Sequence, residues 1–168
     1  TTVAELKEQL GDDRVSALLK EAIAVNTTAN LDHSDDKKVK IIGNPTEGAL
    51  LLWLDRQDVS YLELREKTAA VNRLQFTTQL KYMATLVRSV VTGRLVVYVK
   101  GAPDILLDMC QIGEAERSRY DAQLATYQQH ANRTLAFAFK EVEDGEEVFR
   151  DGHLAVQDLT MMGIVGIE

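Results

Sequence analysis

The chain of 168 residues has little of what several classes of protein depend on. It contains one cysteine, so no disulfide can form within it, which is typical of a reducing compartment. Its two prolines and ten glycines form no Pro/Gly-rich linker that would divide it into domains. No apolar run approaches the roughly 18 residues that a membrane span needs. The composition therefore predicts a single domain over residues 1–168, with a substantial core and no direct membrane contact.

Basic charge is scarce as well. The chain has 26 acidic residues against 19 lysines and arginines, and its net charge is −7. A general nucleic-acid binder presents a basic face, so this balance argues against nucleic acid as a partner. A local basic pocket is still compatible with it, because a phosphate group needs only a few cations.

Familiar catalytic and ligand-binding motifs are missing. The sequence has no GxxxxGK[ST] loop and no GxGxxG, which are the two common phosphate cradles. It has no HExxH, CxxC or GxSxG, and its three histidines are far apart, so neither a metal site nor a catalytic residue is predicted. The one cysteine, Cys110, lies in an apolar segment with no histidine or basic cluster beside it, which favours a small buried hydrophobe over a nucleophile.

The patterns that are present indicate a mixture of helices and antiparallel strands. Helices are predicted around residues 15–23, from Pro45 onward, and over 59–71, 103–110 and 114–130; strands are predicted over 39–42, 74–76, 82–91, 95–100, 134–139 and 159–167. Residues 26–38 and 141–151 are predicted as loops. Helices and strands do not alternate regularly, so the sequence predicts an α+β fold, an antiparallel β-sheet flanked by helices, and not a doubly wound parallel sheet.

The most informative segment is residues 95–104. The apolar run 95–99 predicts a buried strand, and Lys100, Gly101 and Pro103 follow it, the proline being able to open a helix. A lysine at a strand's end, next to a residue without a Cβ, marks a place where a planar or anionic ligand can lie close to the backbone. Taken alone, the same pattern fits a solvated surface lysine.

Four segments, in order along the chain, resemble the nucleotide-binding domain of P-type cation-transporting ATPases. Residues 44–50 (NPTEGAL) resemble the family's (D/N)PTE-x-AL segment, 76–83 (FTTQLKYM) its FxSxRKxM segment, 100–104 (KGAPD) its KGAPE signature, and 132–138 (NRTLAFA) its LRxLA(F/L)A segment. The resemblance covers nearly the whole chain and is closest to the calcium-transporting branch. It implies that family's nucleotide-binding fold and a function in binding ATP.

The resemblance also implies roles for individual residues. Phe76 corresponds to the aromatic that stacks on adenine, and Glu47 to the acidic residue that accepts a hydrogen bond from the adenine amino group. Lys100 corresponds to the lysine beneath the base, and Lys81 to the lysine nearer the phosphates. Without the family, Phe76 reads as a core residue at a strand end, Glu47 as a helix-capping partner, and each lysine as a surface group.

Four further residues complete the implied site. Arg133 corresponds to the arginine that reaches the phosphates, whose oxygens suit its planar guanidinium; read alone, it caps the preceding helix. Gly101 corresponds to the glycine that lets the base approach the backbone. Met83 and Leu135 correspond to apolar walls around the base, and as core residues they need no further function.

The sequence departs from the family in several places. Thr78 and Leu80 stand where the calcium pumps often carry arginine, so one phosphate contact is expected to be missing. The phosphorylated DKTGT segment, a TGES-like loop and membrane helices are not found. Because the chain also begins without methionine and stops on a strand-like segment, we expect a cytoplasmic domain excised from an integral membrane pump.

Such a domain is expected to bind ATP or ADP without hydrolysing it. Its Mg²⁺ would be held mainly by the phosphates and by the absent phosphorylation domain, and its partners would be the phosphorylation and actuator domains of the same pump. Two other functions stay open. One is a non-enzymatic interaction domain in which 100–104 is only a strand–helix turn; the other is a stand-alone phosphotransferase, which the missing phosphate loops disfavour.

Overall fold

The computed structural model describes residues 13–27, 29–34 and 39–167 of the chain. Its helices are α1 (Asp13–Val25), α2 (Pro45–Arg56), α3 (Tyr61–Lys67), α4 (Pro103–Met109) and α5 (Glu114–Gln129). Its strands are β1 (Asn30–Asp32), β2 (Lys40–Ile42), β3 (Ala69–Leu74), β4 (Tyr82–Arg88), β5 (Leu95–Gly101), β6 (Arg133–Val142), β7 (Phe149–Arg150), β8 (His153–Leu154) and β9 (Thr160–Ile167). Residue 28 and residues 35–38 of the predicted loop 26–38 lie outside the described residues.

A five-stranded sheet in the order β3-β4-β5-β6-β9 organises the fold, and every neighbouring pair in it is antiparallel. Two small two-stranded sheets, β1-β2 and β7-β8, accompany it. Helices α4 and α5 form the connection from β5 to β6. The prediction of an α+β fold with an antiparallel sheet flanked by helices is therefore confirmed.

The sheet buries both faces, and the alternation of side chains along β5 shows how. Val96 and Tyr98 face the core that α1, α2 and α3 share, which we call the first face. Val97 and Val99 point the other way, into the core formed with α4 and α5, the second face. Every residue of β5 is buried, which explains why its first five residues, 95–99, form an unbroken apolar run.

Local sequence explains where several elements begin. The Asn44 side chain caps α2 by accepting hydrogen bonds from the backbone N–H groups of Thr46, at 2.8 Å, and Glu47, at 3.3 Å. Pro45 occupies the first turn, where its missing N–H costs nothing. Ser60 caps α3 in the same way through the N–H of Glu63. The Asn44 cap and Pro45 together fix the start of α2, and with it the position of Glu47.

Several predictions of elements and boundaries were wrong; the strand predicted over 82–91, for example, ends at Arg88. The helix predicted over 59–71 ends at Lys67, and the chain continues from Ala69 as strand β3. The strand predicted over 74–76 overlaps β3 only at Leu74, where β3 ends. β3 is an edge strand made of residues that also suit a helix, so its pairing with β4 decides its conformation. Strand β1 lies within the predicted loop 26–38, and β7 within the predicted loop 141–151; both are too short to give a periodic signal.

Candidate functional site

A cleft of about 780 Å³ opens at one end of the sheet, between the start of α2 and the ends of β4, β5 and β6. Its volume lies within the range of small-molecule binding sites, roughly 300–1,000 Å³. All eight residues singled out in the sequence line it, although they are spread over 89 positions from Glu47 to Leu135 inclusive. The lining residues are Asn44, Thr46, Glu47, Gln75, Phe76, Lys81, Met83, Lys100, Gly101, Ala102, Asn132, Arg133, Thr134 and Leu135.

Strand register brings four of these residues together. Met83 of β4 is the pairing partner of Lys100 of β5, and Lys100 pairs in turn with Phe137 of β6. Side chains alternate along a strand, so Arg133 and Leu135 lie on the same face of β6 as Phe137, which is the first face. Met83 is buried and Leu135 half-buried, as apolar walls of a cleft would be.

Glu47 and Lys100 form the floor of the cleft. The Lys100 Nζ donates to the Glu47 Oε1 at 2.9 Å, and the two side chains are only 7% and 13% exposed, respectively. Burial lowers the pKa of Lys100 below its ordinary value, while the charge of Glu47 and its hydrogen bond act in the opposite direction. The reading of Lys100 as a solvated surface lysine is therefore wrong.

Two groups that sequence reasoning missed hold the other carboxylate oxygen of Glu47. The Thr27 hydroxyl donates to Glu47 Oε2 at 2.5 Å, and the Ala29 backbone N–H donates to the same oxygen at 3.1 Å. Both lie in the segment after α1, which the sequence presents only as a polar loop. No spacing signal links residues 20 positions apart across a loop, so this contact belongs to the tertiary structure alone.

The rim of the cleft consists of Phe76, Lys81 and Arg133, all of them exposed. Phe76 follows β3 and is 56% exposed, so its reading as a core residue is wrong. A tight turn carries it: the Lys81 N–H donates to the Thr77 carbonyl at 2.8 Å, and the Leu80 N–H donates to the Thr77 hydroxyl at 3.0 Å. An aromatic ring held in solvent at the edge of a cleft is available to stack on a planar ligand.

Gly101 has a structural reason to be glycine. A Cβ at this position would lie 2.3 Å from the Lys81 carbonyl oxygen and 2.7 Å from the Tyr82 Cα. The same carbonyl accepts a hydrogen bond from the Ala102 N–H at 3.0 Å, and Lys81 itself adopts a left-handed backbone with φ 60°. The glycine therefore lets the rim turn pack against the end of β5.

Arg133 is positioned by the end of α5. The Asn132 N–H donates to the Tyr127 carbonyl at 3.0 Å and the Ala131 N–H to the Gln128 carbonyl at 3.1 Å, which is a Schellman motif with Ala131 at the left-handed position, φ 53°. Backbone groups thus satisfy these carbonyls of the helix end. Arg133, the first residue of β6, is therefore not needed as a cap for α5, and it lines the cleft.

Other parts of the chain offer less chemistry. A second cavity, of about 450 Å³, lies beside α4 and the start of α5 and includes Cys110. Burial raises the pKa of the Cys110 thiol to about 12, which suits the predicted small hydrophobe and not a nucleophile. Over the described ranges 13–27, 29–34 and 39–167, no three His, Cys, Asp or Glu residues cluster in a way that suits a metal ion.

Comparison with known proteins decides the family. The model of the family described as P-type ATPase, cytoplasmic domain N, matches residues 14–168. The chain belongs to this family. The P-type ATPase resemblance that the four segments indicated is thereby confirmed, and the cleft lies in a domain N.

Individual relatives of this domain N are named as calcium pumps. Calcium-transporting ATPase 1 of Lactococcus lactis subsp. lactis is 31% identical over 125 residues, which cover 68% of this chain and 14% of that protein. Calcium-transporting ATPase 2 of Cryptococcus neoformans var. grubii is 28% identical over 184 residues, covering 92% and 13%, respectively. Calcium-transporting ATPase PAT1 of Dictyostelium discoideum is 29% identical over 165 residues, covering 92% and 14%.

These relatives are much longer than the chain, which spans only 13–14% of their length. Among the residues that the structure describes, no helix has the length and apolar character needed to cross a membrane.

Proposed function

We propose that this domain N binds ATP for a P-type cation-transporting ATPase and positions it for phosphoryl transfer to an aspartate in another domain of the same protein. The observation that carries the proposal is the cleft, which is lined by both a buried Glu47–Lys100 pair and an exposed aromatic, Phe76. A floor with a fixed acceptor and donor, next to a stacking surface, is the arrangement that a purine base requires.

The rim supplies the charge that a phosphate chain requires. Lys81 and Arg133 are cations on an otherwise acidic protein, and both line the cleft. Their side chains suit phosphate oxygens and not a metal ion, so we assign them to the nucleotide's phosphates. Mg²⁺ bound with the nucleotide would be held by those phosphates and by the other domain, and we assign no residue of this chain to it.

Within the intact protein, the role of this domain would be positioning. It would hold the base in the cleft and carry the terminal phosphate to an aspartate outside the chain, so the domain alone would release no phosphate. The names of the relatives support calcium as the cation. The partners we propose, the phosphorylation and actuator domains of the same pump, follow from the P-type ATPase family alone. We likewise propose that the chain is a cytoplasmic part of an integral membrane protein, following the family's description.

A nucleotide titration followed by NMR tests the proposal. Millimolar ATP and ADP are expected to shift the backbone amide signals of Gly101 and Arg133 in the 168-residue chain. Phe76→Ala is expected to weaken binding about tenfold, because it removes a stacking surface.

Leu62→Ala serves as the matched control. Leu62 is 51% exposed, on α3, and is not among the residues that line the cleft, so its removal should leave the affinity unchanged. An absence of shifts at millimolar ATP would contradict the proposal and favour an interaction domain. Release of inorganic phosphate from ATP by the purified chain would instead favour a phosphotransferase.

A further inference from the structure

The segment after α1 forms a polar support directly behind the floor of the cleft. Thr27 is only 5% exposed, and its hydroxyl donates to Glu47 Oε2 at 2.5 Å. The Ala29 N–H reaches the same oxygen at 3.1 Å and the Thr27 hydroxyl oxygen at 3.3 Å. On the opposite side, Lys100 holds Oε1 at 2.9 Å. The carboxylate is thus clamped between two parts of the chain.

We propose that Thr27 is a positioning residue that fixes the Glu47 carboxylate and thereby sets which base the cleft accepts. The inference rests on the proposed function, because it concerns how the same cleft reads its ligand. Thr27 does not line the cleft, so it acts through Glu47 and not by touching the nucleotide.

The segment that carries Thr27 is itself hydrogen-bonded to neighbouring elements. The Arg65 guanidinium donates to the carbonyls of Ala24 and Ala29, each at 2.6 Å, and to the Asn30 side chain at 2.7 Å. Arg73 of β3 donates to the Val25 carbonyl at 3.0 Å. Two arginines from neighbouring elements therefore fix the backbone on both sides of Thr27, and the hydroxyl transmits that rigidity to Glu47.

A fixed carboxylate discriminates between bases more sharply than a mobile one. It accepts a hydrogen bond from the amino group of adenine, whereas it repels the carbonyl oxygen that replaces this group in hypoxanthine or guanine. If the hydroxyl of Thr27 is lost, Glu47 keeps Lys100 and the Ala29 N–H as partners but gains freedom to turn. Selectivity for adenine should then fall more than affinity for the triphosphate itself.

The test compares ATP with inosine triphosphate, which carries a carbonyl oxygen in place of the adenine amino group. Dissociation constants for both are measured by calorimetry on the 168-residue chain and on Thr27→Val, Thr27→Ser and Thr68→Val. Thr68 is the matched control, because it is equally buried at 5% but its hydroxyl has no hydrogen-bond partner among the described residues.

We expect Thr27→Val to lower the preference for ATP over inosine triphosphate about fivefold. Thr27→Ser, which keeps the hydroxyl, should retain the preference to within about twofold, and Thr68→Val should not change it. Adding Thr27→Val to a Glu47→Ala background should have no further effect on the preference, because the partner through which Thr27 acts is gone. If Thr27→Val does not fold, Thr27→Ala takes its place in each comparison.

Failure of this inference is distinguishable from failure of the proposed function. A Thr27→Val protein that keeps the full preference for ATP overturns the role of Thr27 while ATP binding stands. Equal weakening of both nucleotides would also overturn it, since that result indicates a merely structural role. A wild-type chain that binds neither nucleotide overturns the proposed function itself.

Discussion

The floor of the cleft is buried and tied into the core, whereas the rim is exposed and carried by turns. Lys100 and Glu47 contact each other, and Glu47 also contacts the segment after α1, so the floor depends on that segment, α2 and β5 at once. Phe76 and Lys81 depend on one turn, and Arg133 on the end of one helix. From this difference we expect stability and ligand binding to be coupled at the floor and separable at the rim.

The largest expected effect is at the floor. Lys100→Met leaves the Glu47 carboxylate buried without its cation, so we expect the free energy of unfolding to fall by about 3 kcal/mol, measured by urea denaturation. Lys67→Met is the control, because the Lys67–Glu63 ion pair is more than half exposed on both sides and its loss should matter far less. Equal losses in the two variants would erase the distinction between buried floor and exposed surface.

Gly101→Ala tests the junction between floor and rim. The new Cβ would overlap the Lys81 carbonyl oxygen, so we expect a loss of about 2 kcal/mol in unfolding free energy and weaker ATP binding together. Gly113→Ala, where a Cβ would meet nothing within 4 Å, is the steric control in the same denaturation series, and any loss there should be limited to that of an alanine at the N-cap of α5. Full stability of Gly101→Ala would mean that the turn moves away freely.

Lys81→Gly should move stability and binding in opposite directions. Glycine relieves the left-handed conformation at φ 60°, which should raise the unfolding free energy by about 1 kcal/mol. The lost ammonium should weaken ATP binding severalfold in the NMR titration. Asp58→Gly, at φ 57° and not among the residues that line the cleft, should leave binding unchanged. A parallel change in stability and affinity would show that the rim is coupled to the core after all.

Ala131→Gly has the smallest expected effect and concerns stability alone. Glycine suits the left-handed position of the Schellman motif, so the unfolding free energy should rise by up to about 1 kcal/mol while Arg133 stays in place and ATP affinity is unchanged. Ala122→Gly, in the interior of α5, should instead lower the unfolding free energy by about 1 kcal/mol. Thermal unfolding of both variants shows whether each raises or lowers the stability. A loss of stability in Ala131→Gly as well as in Ala122→Gly would contradict the role of the Schellman motif.

Elements with strong local signals were predictable from the sequence. The cap and proline at the start of α2 and the polar residues 92–94 between β4 and β5 act over short distances, so they can be predicted without knowing the fold. Only the last residue of β3, Leu74, was predicted as strand, because the conformation of the rest depends on pairing with β4 at the sheet edge. The prediction of a helix over 59–71 failed for that reason beyond Lys67.

The candidate site likewise has features that the sequence predicted and features that it did not. The motifs around Glu47, Phe76, Lys100 and Arg133 were visible in the sequence, and the structure brings those residues to one cleft. Whether Lys100 was buried or solvated could not be decided, because the answer depends on a carboxylate 53 positions away. The position of Thr27 beside Glu47 could not be predicted, because nothing in the sequence distinguishes a buried threonine in a polar loop from an exposed one.

By itself, the sequence determined the fold class, the capped start of α2, the apolar run of β5 and the motifs that identify the family. These rest on short-range chemistry and on alternation along single elements. Only the tertiary structure decided that Lys100 pairs with Glu47, that Thr27 braces this pair, and that Phe76 faces solvent. Those facts depend on which elements pack together, because burial and hydrogen bonding between distant residues have no counterpart in local sequence.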